Sequence, residues 1–90
     1  MKLTDYQLKR IFNMAVEAYA QFQLCKNAED DNKRNVAYAR NDKYCYAIYQ
    51  SLSCIAGREL SISEGRDIVL SNGVDREPSL ESVRAVIESL

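Results

Sequence analysis

Residues 4–56 place apolar side chains at three- and four-residue intervals with one polar interruption, which restricts the chain to helices packed side by side. The first helix has a defined start. Thr4 followed by Gln7 is a capping box, in which the threonine oxygen accepts from the Gln7 amide while the glutamine reaches back. Leu3 and Leu8 occupy the two positions of a hydrophobic staple. From there Leu8, Ile11, Phe12, Ala15, Val16, Tyr19 and Phe22 recur on one broad face, and the helix is predicted to end at Cys25 or Lys26.

The interruption, KNAEDDNKRN, begins at Lys26. A turn near Asn27 is predicted there, with Asn27 capping a second helix that starts within residues 28–33. Glu29, Asp30 and Asp31 then fall in its first turn, where carboxylates complement the positive end of the helix dipole. This helix is expected to run to Ala56, with Gly57 supplying the left-handed residue that closes it. At 100° per residue, Tyr38, Tyr44, Cys45, Ile48, Tyr49, Leu52, Ile55 and Ala56 fall within roughly 140° of one another. Asn41 interrupts the stripe, a position from which a polar residue can specify register or pairing.

The remainder is shorter. Ser61 with Glu64 repeats the capping-box pattern and Asn72-Gly73 is a helix stop, so a third helix is predicted over 62–71. The alternative is a small β-hairpin within residues 59–71, giving an α+β fold. Helix is the expected outcome, because an isolated two-stranded hairpin is marginal and Gly65 costs a helix only about 1 kcal/mol. Pro78 and Ser79 then precede Leu80, Val83, Val86, Ile87 and Leu90 at helical spacing. The fold class that follows is all-α, one domain over residues 1–90: an antiparallel hairpin of two long helices with two shorter C-terminal helices packed on it.

The lengths carry a further expectation. Two helices of more than twenty residues are each at least ~33 Å long, whereas a 90-residue domain has a radius of gyration near ~12 Å. Two short helices cover only part of such a hairpin, so the stripe of Tyr38, Asn41, Cys45, Tyr49 and Leu52 is expected to serve both core and oligomer contact. The competing arrangement is a monomeric four-helix bundle with the second helix broken by the polar segment.

Composition removes several functions. The chain has no histidine, so the usual proton shuttle near neutral pH and the Ser-His-Asp and Cys-His arrangements are excluded. Its carboxylate clusters, at 29–31 and at Glu59 and Glu64, sit at helix starts where they serve capping and dipole roles. Cys25, Cys45 and Cys54 are odd in number and unpaired in spacing, which fits neither a disulfide framework nor a zinc site. Gly57, Gly65 and Gly73 are too far apart for a phosphate-binding loop. Neither catalysis nor a metal or cofactor is expected. A net charge of −1 argues against general nucleic-acid binding. No stretch approaches the ~20 apolar residues of a membrane span, so the expected location is the cytoplasm, of its own or a host cell.

Six tyrosines without a tryptophan are the compositional oddity. Tyr38, Tyr44 and Tyr49 belong to the stripe and are expected to pack. Tyr46 points about 80° away from Tyr38, and Arg40, Lys43, Tyr46 and Gln50 form a contiguous band at spacings of three, three and four. That cationic, aromatic and amide band suits an acidic protein surface, or a phosphate with a base. The expected function is therefore a protein-binding or regulatory helical module of the inhibitor or adaptor kind, acting on another protein and on itself as a homo-oligomer. The alternative is a sequestering binder of a nucleotide or other small anion.

Overall fold

The computed structural model describes residues 1–70 and 75–90, and among these the chain forms helices α1 (Asp5–Asn27), α2 (Asp31–Ala56), α3 (Ile62–Val69) and α4 (Leu80–Glu88). The all-α prediction holds, and no strand occurs among the described residues. Thr4 caps α1 through the reciprocal box with Gln7, at 3.1 Å for Gln7 N to Thr4 Oγ1 and 2.9 Å for the return bond. The predicted cap of α2 is corrected. Asn27 belongs to the last turn of α1, and Asp30 accepts from the Lys33 amide at 2.8 Å. The tight connection that results turns α2 back along α1. Gly57, at φ +71°, closes α2 in the left-handed region where a side chain would be strained.

α3 starts at its Ser61/Glu64 box and ends at Val69, two residues before the predicted end; the Asn72-Gly73 stop lies outside the described residues. The box decides against the hairpin alternative, since both of its hydrogen bonds require a helical first turn. α4 begins at a box of Ser79 with Ser82, a serine version of the pattern.

The core gathers Leu8, Ile11, Ala15 and Ala18 of α1, Ile48 and Leu52 of α2, and the inner faces of α3 and α4. Ala15, Ala18 and Ala37 are buried, and small side chains at these positions let the two long helices approach closely. Every buried α1 residue precedes Tyr19, and two of the three in α2 follow Cys45. The core therefore occupies one end of the hairpin. The Cα trace measures 41 × 22 × 22 Å, and α2 alone, at 26 residues and about 1.5 Å each, accounts for almost all of the long dimension. α2 is unbroken, contrary to the bundle alternative, and the tip of the hairpin is two helices thick.

One electrostatic feature fixes the start of α3. Arg58 grips the Glu64 carboxylate with two guanidinium nitrogens, at 2.7 and 3.2 Å, while the same carboxylate accepts from the Ser61 amide at 2.9 Å. The guanidinium first, and the Ser61 amide second, hold the Glu64 pKa down to about 2 from an ordinary 4.5. In the unfolded chain Glu64 takes up its proton near the ordinary value, so between these two pH values the unfolded state binds more protons and stability falls as pH falls. Glu64→Gln keeps an oxygen for the cap and removes the charge. Urea midpoints measured across that window are expected to depend less steeply on pH in the variant. Parallel slopes would show that Glu64 does not contribute.

Candidate recognition faces of the hairpin

The predicted band on α2 is assembled on one outer face. Arg40, Lys43, Tyr46 and Gln50 are all exposed, and Gln50 Nε2 donates to the Tyr46 hydroxyl at 3.1 Å. Arg40 and Lys43 form no ion pair among the described residues. The residue that the spacing analysis did not single out is Val36, which is 50% exposed. Helical geometry of 3.6 residues per turn sets it within about 40° of both Arg40 and Lys43. Leu24 of α1, 58% exposed, lines the same shallow groove of about 530 Å³, whose other walls include Gln21, Ala37 and Arg40. The Gln21 side-chain oxygen is buried there with no hydrogen-bond partner among the described residues.

The stripe on the opposite side of α2 divides along its length. Leu52 is fully buried, Cys45 and Tyr49 are half-buried against the core, and Tyr44 packs beside them. Asn41 is half-buried and donates from Nδ2 to the Ala18 carbonyl of α1 at 2.7 Å, so its register-setting contact lies within the chain. Tyr38 departs from the prediction. It is 65% exposed, because it stands beyond the core cluster rather than within it.

Tyr38 instead stands at the rim of a second cleft, of about 330 Å³, where α1, α2 and α3 meet. Ile62, 78% exposed, belongs to the α3 wall, and Phe22 to the α1 wall. The cleft is mostly apolar. Its inner polar groups are already engaged: Asn41 as above, and Cys45, whose thiol donates to Asn41 Oδ1 at 3.8 Å. Burial, with Asp42 nearby, pushes the Cys45 thiol up to about 11, so it stays protonated and unreactive near neutral pH. Arg66 lies on the α3 wall without an ion pair among the described residues. Gly65 presses directly on the Tyr49 ring, which sets how closely α3 can approach α2.

The polar clusters elsewhere are structural. Asp30 caps α2, and Asp31 pairs with Arg34 at 2.7 Å. Asp75 accepts from the Tyr19 hydroxyl at 3.1 Å and Gln23 Nε2 at 2.8 Å, and also pairs with Lys26. The Lys26 ammonium is the main reason the Asp75 carboxyl is held below its ordinary value, and the cluster ties the chain that precedes α4 to α1. Nothing local in the sequence marks this contact, since its partners are 49 to 56 residues away. No helix among the described residues is long and apolar enough to cross a membrane.

What these faces can do chemically is bind side chains. One presents apolar groups beside unpaired cations, and the other is an apolar slot between helices, the two forms in which helical surfaces accept a partner. Compared with known proteins, the chain matches no family model, no curated protein and no solved structure.

Proposed function

We propose that this chain is a protein-binding, regulatory module that acts in the cytoplasm by presenting the faces of its long hairpin, as a homo-oligomer. The observation that carries this reading is the exposure of Leu24 and Val36 in one groove between α1 and α2, with Tyr46 further along the outer face of α2 and Tyr38 on its other side. Single exposed apolar residues are ordinary on any protein. Leu24 and Val36, side by side in one groove, make a patch of the kind that marks interaction sites. Arg40 and Lys43 beside it suit the polar rim of an interface, and tyrosine is enriched at interface centres.

The test is affinity capture with the immobilised protein and with a Tyr46→Ala, Lys43→Glu double variant. Both positions are exposed, so circular dichroism and the unfolding midpoint are expected to be unchanged. A partner retained by the wild type and lost by the variant is the expected result. Equal recovery by both, or no partner under conditions where the fold is intact, would remove the reading.

A second reading, sequestration of a nucleotide or other small anion, draws on Arg40, Lys43 and Tyr46; neither cation has a carboxylate within salt-bridge distance among the described residues. Native mass spectrometry would show a retained anion. Its absence, together with no thermal shift on adding nucleotides, would discard this alternative.

A further inference from the structure

We propose that the cleft where α1, α2 and α3 meet binds a small amphipathic carboxylate, with its hydrocarbon body between the helices and its carboxylate on Arg66. This site lies across α2 from the Arg40 and Lys43 band, so it goes beyond partner capture by that band and does not depend on it. The α3 wall follows from helical spacing. Ile62, Arg66 and Val69 are four and three residues apart, which sets them on one stripe of the helix, and all three line the cleft. Val69 is buried, whereas Ile62 and Arg66 are exposed at the mouth. At about 330 Å³ the cleft is at the lower end of the roughly 300–1,000 Å³ that small-molecule sites occupy. With each water filling about 30 Å³, that space suits an occupant with a body of about ten carbons.

The interior selects apolar groups. Phe22 and Val69 offer only carbon, and Asn41 is engaged at both ends of its amide, by the Ala18 carbonyl and the Cys45 thiol. A polar group placed there would give up water without gaining a partner. The mouth selects a negative charge. Arg66 is the one charged side chain among the described lining residues and has no ion pair among them. The Tyr49 hydroxyl beside it has no hydrogen-bond partner among the described residues. A guanidinium is a planar fork that meets a carboxylate through two parallel hydrogen bonds, and its stem can lie along the apolar wall. One charge is the limit. Burial, then Cys45 and Asp42, push the Tyr49 hydroxyl up, while Arg66 pulls it down, so the Asp42 carboxylate also reaches this edge and would repel a second negative group.

Calorimetric titration of the full chain with sodium decanoate, with amide NMR spectra to locate the ligand, tests the site. Decanoate is expected to bind saturably, one per chain, and to move the amide signals of Tyr49, Ile62 and Arg66. Octanoate, two methylenes shorter, should bind about tenfold more weakly. Decanol, of the same length but uncharged, should also bind about tenfold more weakly, the size of one charge-assisted hydrogen bond. Arg66→Gln should abolish the preference for decanoate over decanol without moving the unfolding midpoint, since Arg66 is exposed and unpaired among the described residues. Ile62→Glu sets a carboxylate at the first position of α3, where a helix accepts it, one turn from Arg66. It should abolish decanoate binding. The Tyr46→Ala, Lys43→Glu variant should bind decanoate as the wild type does. Signal changes that never saturate, decanol binding as tightly as decanoate, or an Arg66→Gln variant that keeps the preference would overturn the site. Decanoate binding lost in the Tyr46→Ala, Lys43→Glu variant would overturn it too, because the ligand would then sit on the outer band. None of these outcomes bears on partner capture by that band.

Discussion

Replacing Gly65 with alanine is expected to destabilise the protein, although alanine is the better helix former. Gly65 lies in the middle of α3 in ordinary helical conformation, where its conformational freedom is a cost rather than a requirement. On propensity alone the change should gain about 1 kcal/mol. The contact reverses the sign. A Cβ placed there would lie 1.8 Å from Tyr49 Cε1 and 2.5 Å from both Cδ1 and Cζ, far inside any real carbon contact. Tyr49 is half-buried among core residues, so its ring must swing into the three-helix cleft, or α3 must move off α2. Overpacking of this kind costs typically about 1–3 kcal/mol, which outweighs the propensity gain over most of that range. Chemical denaturation should therefore place Gly65→Ala below the wild type. The diagnostic measurement is the cycle with Tyr49→Ala. Removing the ring relieves the clash, so alanine at 65 should cost less in the Tyr49→Ala background than in the wild type, a coupling of about 1 kcal/mol or more. An alanine variant as stable as the wild type would mean that α3 does not sit against α2 as described.

Gly65 also shows which parts of this fold are legible from residues alone. The signals that succeeded are local. Thr4 with Gln7, Ser61 with Glu64 and Gly57 each act within a turn or two, so the spacing contains the whole interaction. Asn27 and Asp30 are both good caps three residues apart, and the choice between them rests on where the preceding helix stops, which its own sequence leaves open. Tyr38 misled for a different reason. Periodicity tells which side of α2 is apolar, but not how far along that side α3 extends, and a tyrosine just beyond the last covering residue remains in water. The Gly65–Tyr49 contact and the Asp75 cluster are tertiary, with no trace in neighbouring residues. The candidate band on α2 was legible because helical spacing alone groups Arg40, Lys43, Tyr46 and Gln50. Val36 became part of it only once the structure showed that no other element of the fold covers it.

Leu52→Ala is expected to cause a large loss of stability, and its contrast with Val36→Ser separates the core of α2 from its exposed surface. Leu52 is fully buried where α2 meets α1 and α3, within the cluster that holds Leu8, Ile68 and Val83. Truncation removes transfer energy and leaves a cavity that packed neighbours fill only in part, about 2–5 kcal/mol in all. A domain of this size has total stability of only about 5–13 kcal/mol at 0.05–0.15 kcal/mol per residue. A loss of about 3 kcal/mol then lowers the melting temperature by about 12–24 °C. Calorimetry reports this loss. A shift of only a few degrees would show that α3 is not anchored on α2. Val36→Ser removes a methyl surface that already faces water, so in the same experiment its melting temperature should stay close to that of the wild type, the usual exposed substitution costing within about 0.5 kcal/mol. The last turns of α2 thus carry most of its core contacts, while its first turns pack on α1 through Ala37 and leave Val36 in water.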